Sequence, residues 1–219
     1  MTSFPGSPRL VRGGLVLLDP ITGVVRRIIT LQYNSDTLTR TLQPQAAGPE
    51  IGDRLEALRF KGPPVETIKL EAEIDATDQL EFPEEHPNVV QHGILPQLSV
   101  LETLVYPSSA QLQLNNTLAS AGTLEIAPML APLTLFVWSK NCVMPVRITD
   151  FNIVEEAFDP ALNPIRAKVS LGLRVLSVND LEFSSKGGSL FMIYQQQKEQ
   201  LAQLSPAGTL TALGIGGIP

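Results

Sequence analysis

Residues 142–176 have the sequence CVMPVRITDFNIVEEAFDPALNPIRAKVSLGLRVL. In the second half of this stretch every other residue is apolar, and the apolar set is Ile165, Ala167, Val169, Leu171, Leu173 and Val175. Strict alternation is typical of a β-strand with one buried face and one face turned to water or a partner. The first half alternates as well, but its apolar phase slips by one residue near Thr149 and Asp150, as it does at a β-bulge. The stretch therefore predicts one long antiparallel hairpin with arms of about a dozen residues, each roughly 40 Å long.

The two arms of this hairpin are joined by residues 155–164, which contain the turn-forming pairs Asp159-Pro160 and Asn163-Pro164. Most strands are about half as long as these arms, so we expect the arms to extend beyond a small barrel and meet another surface. The connection is either an ordinary ordered loop or a shaped tip presented to a neighbouring subunit. The candidate interface residues are Phe158, Asp159, Asn163, Pro164, Arg166, Lys168 and Arg174.

The rest of the chain predicts a mainly β fold with flanking helices, in the α+β class. Strands are expected in an opening hairpin of residues 10–18 and 24–33, at 65–75, and at 133–140, which is apolar on both faces. Helices are expected at residues 94–105 and 190–204, the second after a chain break at Gly187-Gly188. Loops are expected at residues 34–49, 77–88 and 108–132.

Composition limits the class of protein. With a net charge of −6 and no basic run beyond Arg26-Arg27, the chain is unsuited to general nucleic-acid binding. Charged residues make up 17% and hydrophobic residues 43%, so part of the surface is expected to be hidden in an oligomer or a large core. The single cysteine, Cys142, excludes an intrachain disulfide and suits a reducing cytoplasm. No signal peptide and no membrane-spanning run is visible, so we expect cytoplasmic assembly without membrane insertion.

The sequence contains no recognisable catalytic or cofactor motif. His86 and His92 are six positions apart, whereas helical metal sites place histidines four apart, so we expect surface or capping histidines and no metal. The glycines at 214–217 precede no helix that could bind phosphate, and no Gly-x-Ser-x-Gly motif is present. The carboxylates of residues 65–75 alternate with apolar residues, as on a solvated face. We therefore expect no cofactor and no enzyme activity.

Several blocks of the sequence resemble the contractile injection system tube-protein family, the baseplate hub proteins of phage-tail-like particles. The blocks are residues 144–149 (MPVRIT), 155–159 (EEAFD), 162–171 (LNPIRAKVSL) and 31–38 (LQYNSDTL), together with the strand around Trp138. Ser35 stands where that family commonly has a proline. Many relatives carry a LysM module after their last helix, and we expect none here because only about 15 residues follow the last predicted helix. The resemblance covers residues 10–205.

The resemblance implies a tube-like antiparallel β-barrel over residues 1–206, with loop insertions near 34–64 and 76–132 and a C-terminal tail at 207–219. It implies a six-membered ring in which the long hairpins pair side by side and line a channel. The implied partners are further copies of the chain, a trimeric spike protein, the inner tube protein and other baseplate proteins. The implied function is to join the spike to the inner tube and to initiate tube assembly.

Two alternative functions remain open. One is the repeating inner-tube protein of the same machine, although the insertions suit a single-ring adaptor better. The other is a small-molecule-binding β-barrel, which the aromatic content of only 5% disfavours. The tail of residues 207–219 is uncharged and carries Leu210, Leu213, Ile215 and Ile218, so it is expected to be either a frayed terminus or a segment that orders on a neighbouring protein.

Overall fold

The computed structural model describes residues 11–46, 59–120, 122 and 131–218. Its framework is one antiparallel sheet with the strand order β2-β1-β5-β6-β7-β4-β3. The strands are β1 Gly14–Leu18, β2 Val25–Thr30, β3 Leu38–Gln43, β4 Val65–Asp75, β5 Leu133–Ser139, β6 Cys142–Phe158 and β7 Pro164–Val175. The helices are α1 Thr77–Leu80, α2 Pro87–His92, α3 Leu95–Glu102, α4 Ser109–Ser120 and α5 Lys186–Gln203, and a 3₁₀ turn follows at Leu210–Leu213. The predicted mainly β class with flanking helices is therefore confirmed.

The long hairpin of β6 and β7 is present, with the bulge where the sequence predicts it. The pairing register shifts between Ile148 and Asp150, so that Asp150 lies opposite Gly172. A Cβ atom on Gly172 would come within 2.7 Å of the Cβ of Asp150, which explains why glycine stands there. The predicted connection of residues 155–164 is too long, because β6 continues to Phe158 and only residues 159–163 form the turn.

The inner face of the hairpin is covered by the chain's own helices. Ile94, Leu98 and Leu101 are buried in one core with Val169 and Leu171 of β7. Each such side chain stabilises the fold by about 1.5–3 kcal/mol on burial. The inner face of these long arms therefore packs on the helical insertion. The sequence predicts only part of this insertion as helix.

A close contact fixes the α2–α3 corner against the hairpin. Gly93 has φ +56°, and a Cβ atom on it would lie 2.2 Å from the carbonyl oxygen of Pro164. The amide of Ile94 donates to that same oxygen at 2.9 Å. Glycine is required here both for its positive φ angle and for the close approach of the α2–α3 corner to the backbone of Pro164.

The boundaries of several predicted elements are wrong. Residues 38–43 form β3, an exposed edge strand whose polar sequence conceals its pairing with β4. Residues 77–80 and 87–92 are the short helices α1 and α2, and residues 109–120 form α4. Gly187 and Gly188 do not break the chain but lie inside α5, because Leu181 and Glu182 approach within 2.4 Å of where their Cβ atoms would be. Residues 1–10, 47–58, 121 and 123–130, which complete the predicted opening strand and loops, lie outside the described residues.

The two edges of the sheet approach each other at one corner. Gln32, just after β2, accepts a hydrogen bond from the amide of Asp75 at 3.0 Å and donates to its carbonyl at 2.6 Å. The hydroxyl of Ser35 accepts from the amide of Glu71 at 3.3 Å. In the described part of the chain β2 and β3 do not pair, so full closure into a barrel stays a prediction.

Strand β5 is buried on both faces at its start, as predicted. Phe136 belongs to the main core, whereas Leu133 and Leu135 form a second cluster with Leu181 and Leu190 on the opposite side. Phe136 also stacks on Trp138 with ring centroids 5.9 Å apart. The strand thus ties α5 and the preceding turn to the sheet.

Candidate functional site

One edge of β6 is unpaired over most of its length. Strand β5 reaches only to the Thr134–Val146 pair, whereas β6 continues beside β7 to Phe158. Residues 148–158 therefore present a free edge of roughly 35 Å, since a strand rises ~3.4 Å per residue. Among the described residues no strand pairs with this edge. Free edges of this length promote pairing with another chain unless something covers them.

The direction of the edge amides follows from the register. The carbonyl of Ile165 accepts from the amide of Ala76, so the odd-numbered residues of β7 turn their backbone groups toward β4. The even-numbered ones turn toward β6, where Ser170 and Lys168 face Asn152 and Val154. Backbone groups alternate along a strand, so the amides of Phe151 and Ile153 point to the free edge.

A groove of 390 Å³ runs along this edge. Its floor is residues 148–153, and its wall is Glu102, Val105 and Tyr106 at the end of α3 and just beyond it. Val105 is 44% exposed and Tyr106 is 71% exposed. The lining mixes apolar and polar side chains, and its charged members, Glu102 and Asp150, are both acidic. This groove is a concave surface on which another chain could add as a strand.

The outer face of β4, β6 and β7 is a charged surface. Arg166 forms an ion pair with Asp75 at 2.8 Å, and Lys168 forms a longer one with Glu156 at 3.4 Å. The hydrogen bond and charge of Asp75 raise the pKa of Arg166, to which Glu73 and Glu156 also contribute. These side chains are exposed or half-buried. Leu98 and Leu101 of α3 lie in the core on the opposite face.

The hairpin tip is held by Asp159. Its carboxylate accepts hydrogen bonds from the amides of Ala161 and Asn163 and from the Asn163 side chain, each at 2.8 Å. The two bonds from Asn163 keep the pKa of Asp159 below its usual value. Next to this turn Phe158 is 50% exposed, and Leu162 is 78% exposed with φ +65°. The ordered tip thus presents two apolar side chains to solvent.

The seven predicted interface residues do not form one site. Phe158, Asp159 and Asn163 lie at the tip, and Arg166 and Lys168 lie on the charged outer face. Pro164 is buried, and its carbonyl group contacts the α2–α3 corner at Gly93 and Ile94. Arg174 lies at the far end of β7 and pairs with Asp180 at 2.7 Å.

A buried ionic cluster lies at the other end of the core, and the sequence analysis missed it. Glu66 is 3% exposed, and its carboxylate accepts from Arg40 at 2.6 and 2.9 Å, from Tyr194 at 2.9 Å and from Lys198 at 2.9 Å. The Lys198 ammonium also lies 3.9 Å from the centre of the Tyr194 ring. The cluster joins β3, β4 and α5. The available signal was that Glu66 is in phase with Ile68 and Leu70 on the core face of β4.

The electrostatics of this cluster are those of a structural clamp. Burial alone would raise the pKa of Glu66, but hydrogen bonds from Lys198 and Arg40 outweigh it, and the pKa is lowered. Burial and the Glu66 charge raise the pKa of Tyr194. Burial also raises the pKa of Cys142, so the thiol nearby stays neutral. Glu66 is therefore ionised, whereas Tyr194 and Cys142 stay protonated. The ionised carboxylate holds β3, β4 and α5 together.

Two further observations complete the site survey. In the described part of the chain no group of His, Cys, Asp and Glu side chains is arranged to hold a metal ion. No helix in the same residues is long and apolar enough to cross a membrane. His86 and His92 lie at the two ends of α2.

No family model matches this sequence, and no curated protein matches it.

Proposed function

We propose that this protein is a structural ring component of a contractile injection system baseplate, where it joins the spike to the inner tube and initiates tube assembly. The observation that carries the proposal is the β6–β7 hairpin. Its distal outer face carries the Arg166–Asp75 and Lys168–Glu156 ion pairs, and no described strand pairs with the β6 edge over residues 148–158.

A polar face and an open edge on one hairpin suit a subunit that lines a channel. The outer face of residues 147–156 and 166–174 would contact the channel water, and Arg166 and Lys168 would be held by Asp75 and Glu156. A head-to-tail contact whose rotation closes forms a ring, and in such a ring every copy would have its β6 edge covered by a neighbour. The resemblance of residues 144–149 and 162–171 to tube proteins supports the same assignment.

The helical insertion favours a single-ring adaptor over a repeating tube protein. Helices α2 and α3 cover the inner face of the distal hairpin and buttress its tip through Gly93 and Ile94. A tube subunit has to present equivalent surfaces above and below itself, whereas an adaptor has two different neighbours. The tip with Phe158 and Leu162 would be one of these contacts.

Deletion of the gene in the organism that makes the protein tests the proposal. We expect sheathed particles to disappear from sedimented lysates in electron micrographs, and a plasmid copy to restore them. Quantitative mass spectrometry of restored particles should give about six copies per particle for a single ring; many more copies would indicate the repeating tube protein. Normal particles from the deletion strain would refute both assignments.

A further inference from the structure

We propose that the C-terminal tail, residues 207–218, of one copy binds as an added strand in the groove along the β6 edge of a second copy. The inference rests on the proposed function for the ring in which this exchange occurs, whereas the contact itself needs only two copies of the chain.

The tail is unpacked in its own chain. Leu213 and Ile218 are 75% and 80% exposed, and a Cβ atom on Gly208, Gly214, Gly216 or Gly217 would meet nothing within 4 Å. The hydrogen bonds of residues 209–215 are local, such as Ala212 to Thr209 and Ile215 to Leu210. Rearranging the tail into a strand therefore breaks only its own short turn.

The tail and the groove match in charge and length. The last charged residue before the tail is Glu199, so residues 200–219 are uncharged. The groove contains carboxylates at Glu102 and Asp150 and would repel an acidic segment. Residues 213–218 are as long as the groove floor, residues 148–153, and either stretch spans roughly 20 Å when extended.

The order of side chains in the tail also matches a narrow groove. In an extended strand Leu213 and Ile215 share one face, and Gly214 and Gly216 share the other with Ile218 at its end. The face with Leu213 and Ile215 would pack beside Phe151 and Ile153, on the same side of the sheet as the groove wall at Val105 and Tyr106. The opposite face would turn to the outer, charged side of the sheet, where Gly214 and Gly216 place no apolar side chain. The amides of Phe151 and Ile153 would donate to tail carbonyls.

The first test is binding of a fluorescent peptide of residues 207–219 to the chain lacking those residues. We expect saturable binding that weakens at least tenfold in Val105→Asp, which places a charge on the groove wall. Val90→Asp is the matched control, because Val90 is 48% exposed on α2 and does not line the groove. Hydrogen exchange should show new protection at the amides of Phe151 and Ile153. No binding, or equal loss in both variants, would overturn the proposal.

The second test decides between exchange and self-docking. The tail-deleted chain offers a groove without a tail, and the full-length Val105→Asp chain offers a tail with a damaged groove. Each alone should sediment as a monomer, and their mixture should give a 1:1 dimer, whereas the wild-type chain should associate further with concentration. A wild-type chain that stays monomeric at all concentrations while the peptide binds would show that the tail docks on its own copy, and a mixture that stays monomeric would overturn exchange as well. Tail exchange in purified protein with normal particles in the gene-deletion strain would refute the baseplate function alone.

Discussion

Replacement of Glu66 by glutamine tests whether the buried cluster clamps α5 and β3 to the sheet. The carboxylate receives four hydrogen bonds at 2.6–2.9 Å, three of them from charged groups. Removing one member of a buried ion pair costs about 3–5 kcal/mol, because the partner charge stays buried. Arg40 and Lys198 have side chains 37% and 32% exposed, so water can partly solvate them. We expect a loss of about 2–3 kcal/mol in the free energy of unfolding for Glu66→Gln.

Thermal unfolding at pH 7 measures this loss. For a chain of this size 1 kcal/mol corresponds to a shift in Tm of about 2–4 °C, so Glu66→Gln should lower Tm by about 4–12 °C. Glu71→Gln is the control, since Glu71 lies on the same strand, is exposed, and should change the free energy of unfolding by under about 0.5 kcal/mol.

The effect of pH supplies a second readout. The pKa of Glu66 is lowered in the folded protein from its usual 4.5. A carboxylate with a lowered pKa stabilises the fold fully above the unfolded-state value, and the stabilisation is lost as pH falls through the folded-state value. The difference between wild type and Glu66→Gln should therefore be constant above pH ~5 and shrink below it. Equal Tm values for the two glutamine variants, or a gap that persists to low pH, would refute the clamp.

Three other substitutions test the hairpin and its tip. Gly93→Ala should lower the free energy of unfolding by about 1–3 kcal/mol, because the φ of Gly93 is +56° and the carbonyl of Pro164 occupies the space that the new methyl group needs. The control, Gly208→Ala, adds its methyl group in open space and should not lower it. Equal Tm values for the two variants would contradict the close contact. Leu162→Asn should raise the free energy of unfolding by about 0.5–1 kcal/mol, because asparagine adopts φ +65° more readily than leucine. The same variant should lower particle yield, because the exposed Leu162 side chain is a proposed contact. An unchanged yield would exclude Leu162 from the interface. Arg166→Glu should strongly reduce particle yield and change Tm only slightly. The control is Lys140→Glu in the β5–β6 turn, which should change neither. A large fall in Tm with normal particle yield would assign Arg166 to folding alone.

The elements that the sequence predicts well are those whose side chains alternate between core and solvent. Strand β4 has the predicted bounds, and the bulge in β6 lies where the apolar phase slips. Strand β3 and helix α4 escaped prediction because nearly all of their side chains are exposed, so burial imposes no period on them. Gly187 and Gly188 indicate a chain break by propensity, but close packing of Leu181 and Glu182 overrides that preference.

The sequence predicted individual residues of the candidate site but not their arrangement in space. The sequence places Phe158, Asp159, Arg166 and Lys168 on one hairpin, and the structure separates them into a tip and a charged face. Glu66 stood in the core phase of β4, yet its partner Lys198 is 132 positions away in the chain. No local pattern in the sequence identifies Lys198 as that partner.

The sequence by itself determined which segments form the long hairpin and which of their side chains face the core, because that alternation depends only on neighbours along the chain. The tertiary structure decided what covers each face and edge. Helices α2 and α3 cover the inner face, the outer face keeps its charges, and β5 ends too early to pair with residues 148–158 of β6. These outcomes depend on segments far apart in sequence and on where each strand stops, and so the groove, the free edge and the Glu66 cluster appear only when the chain is folded.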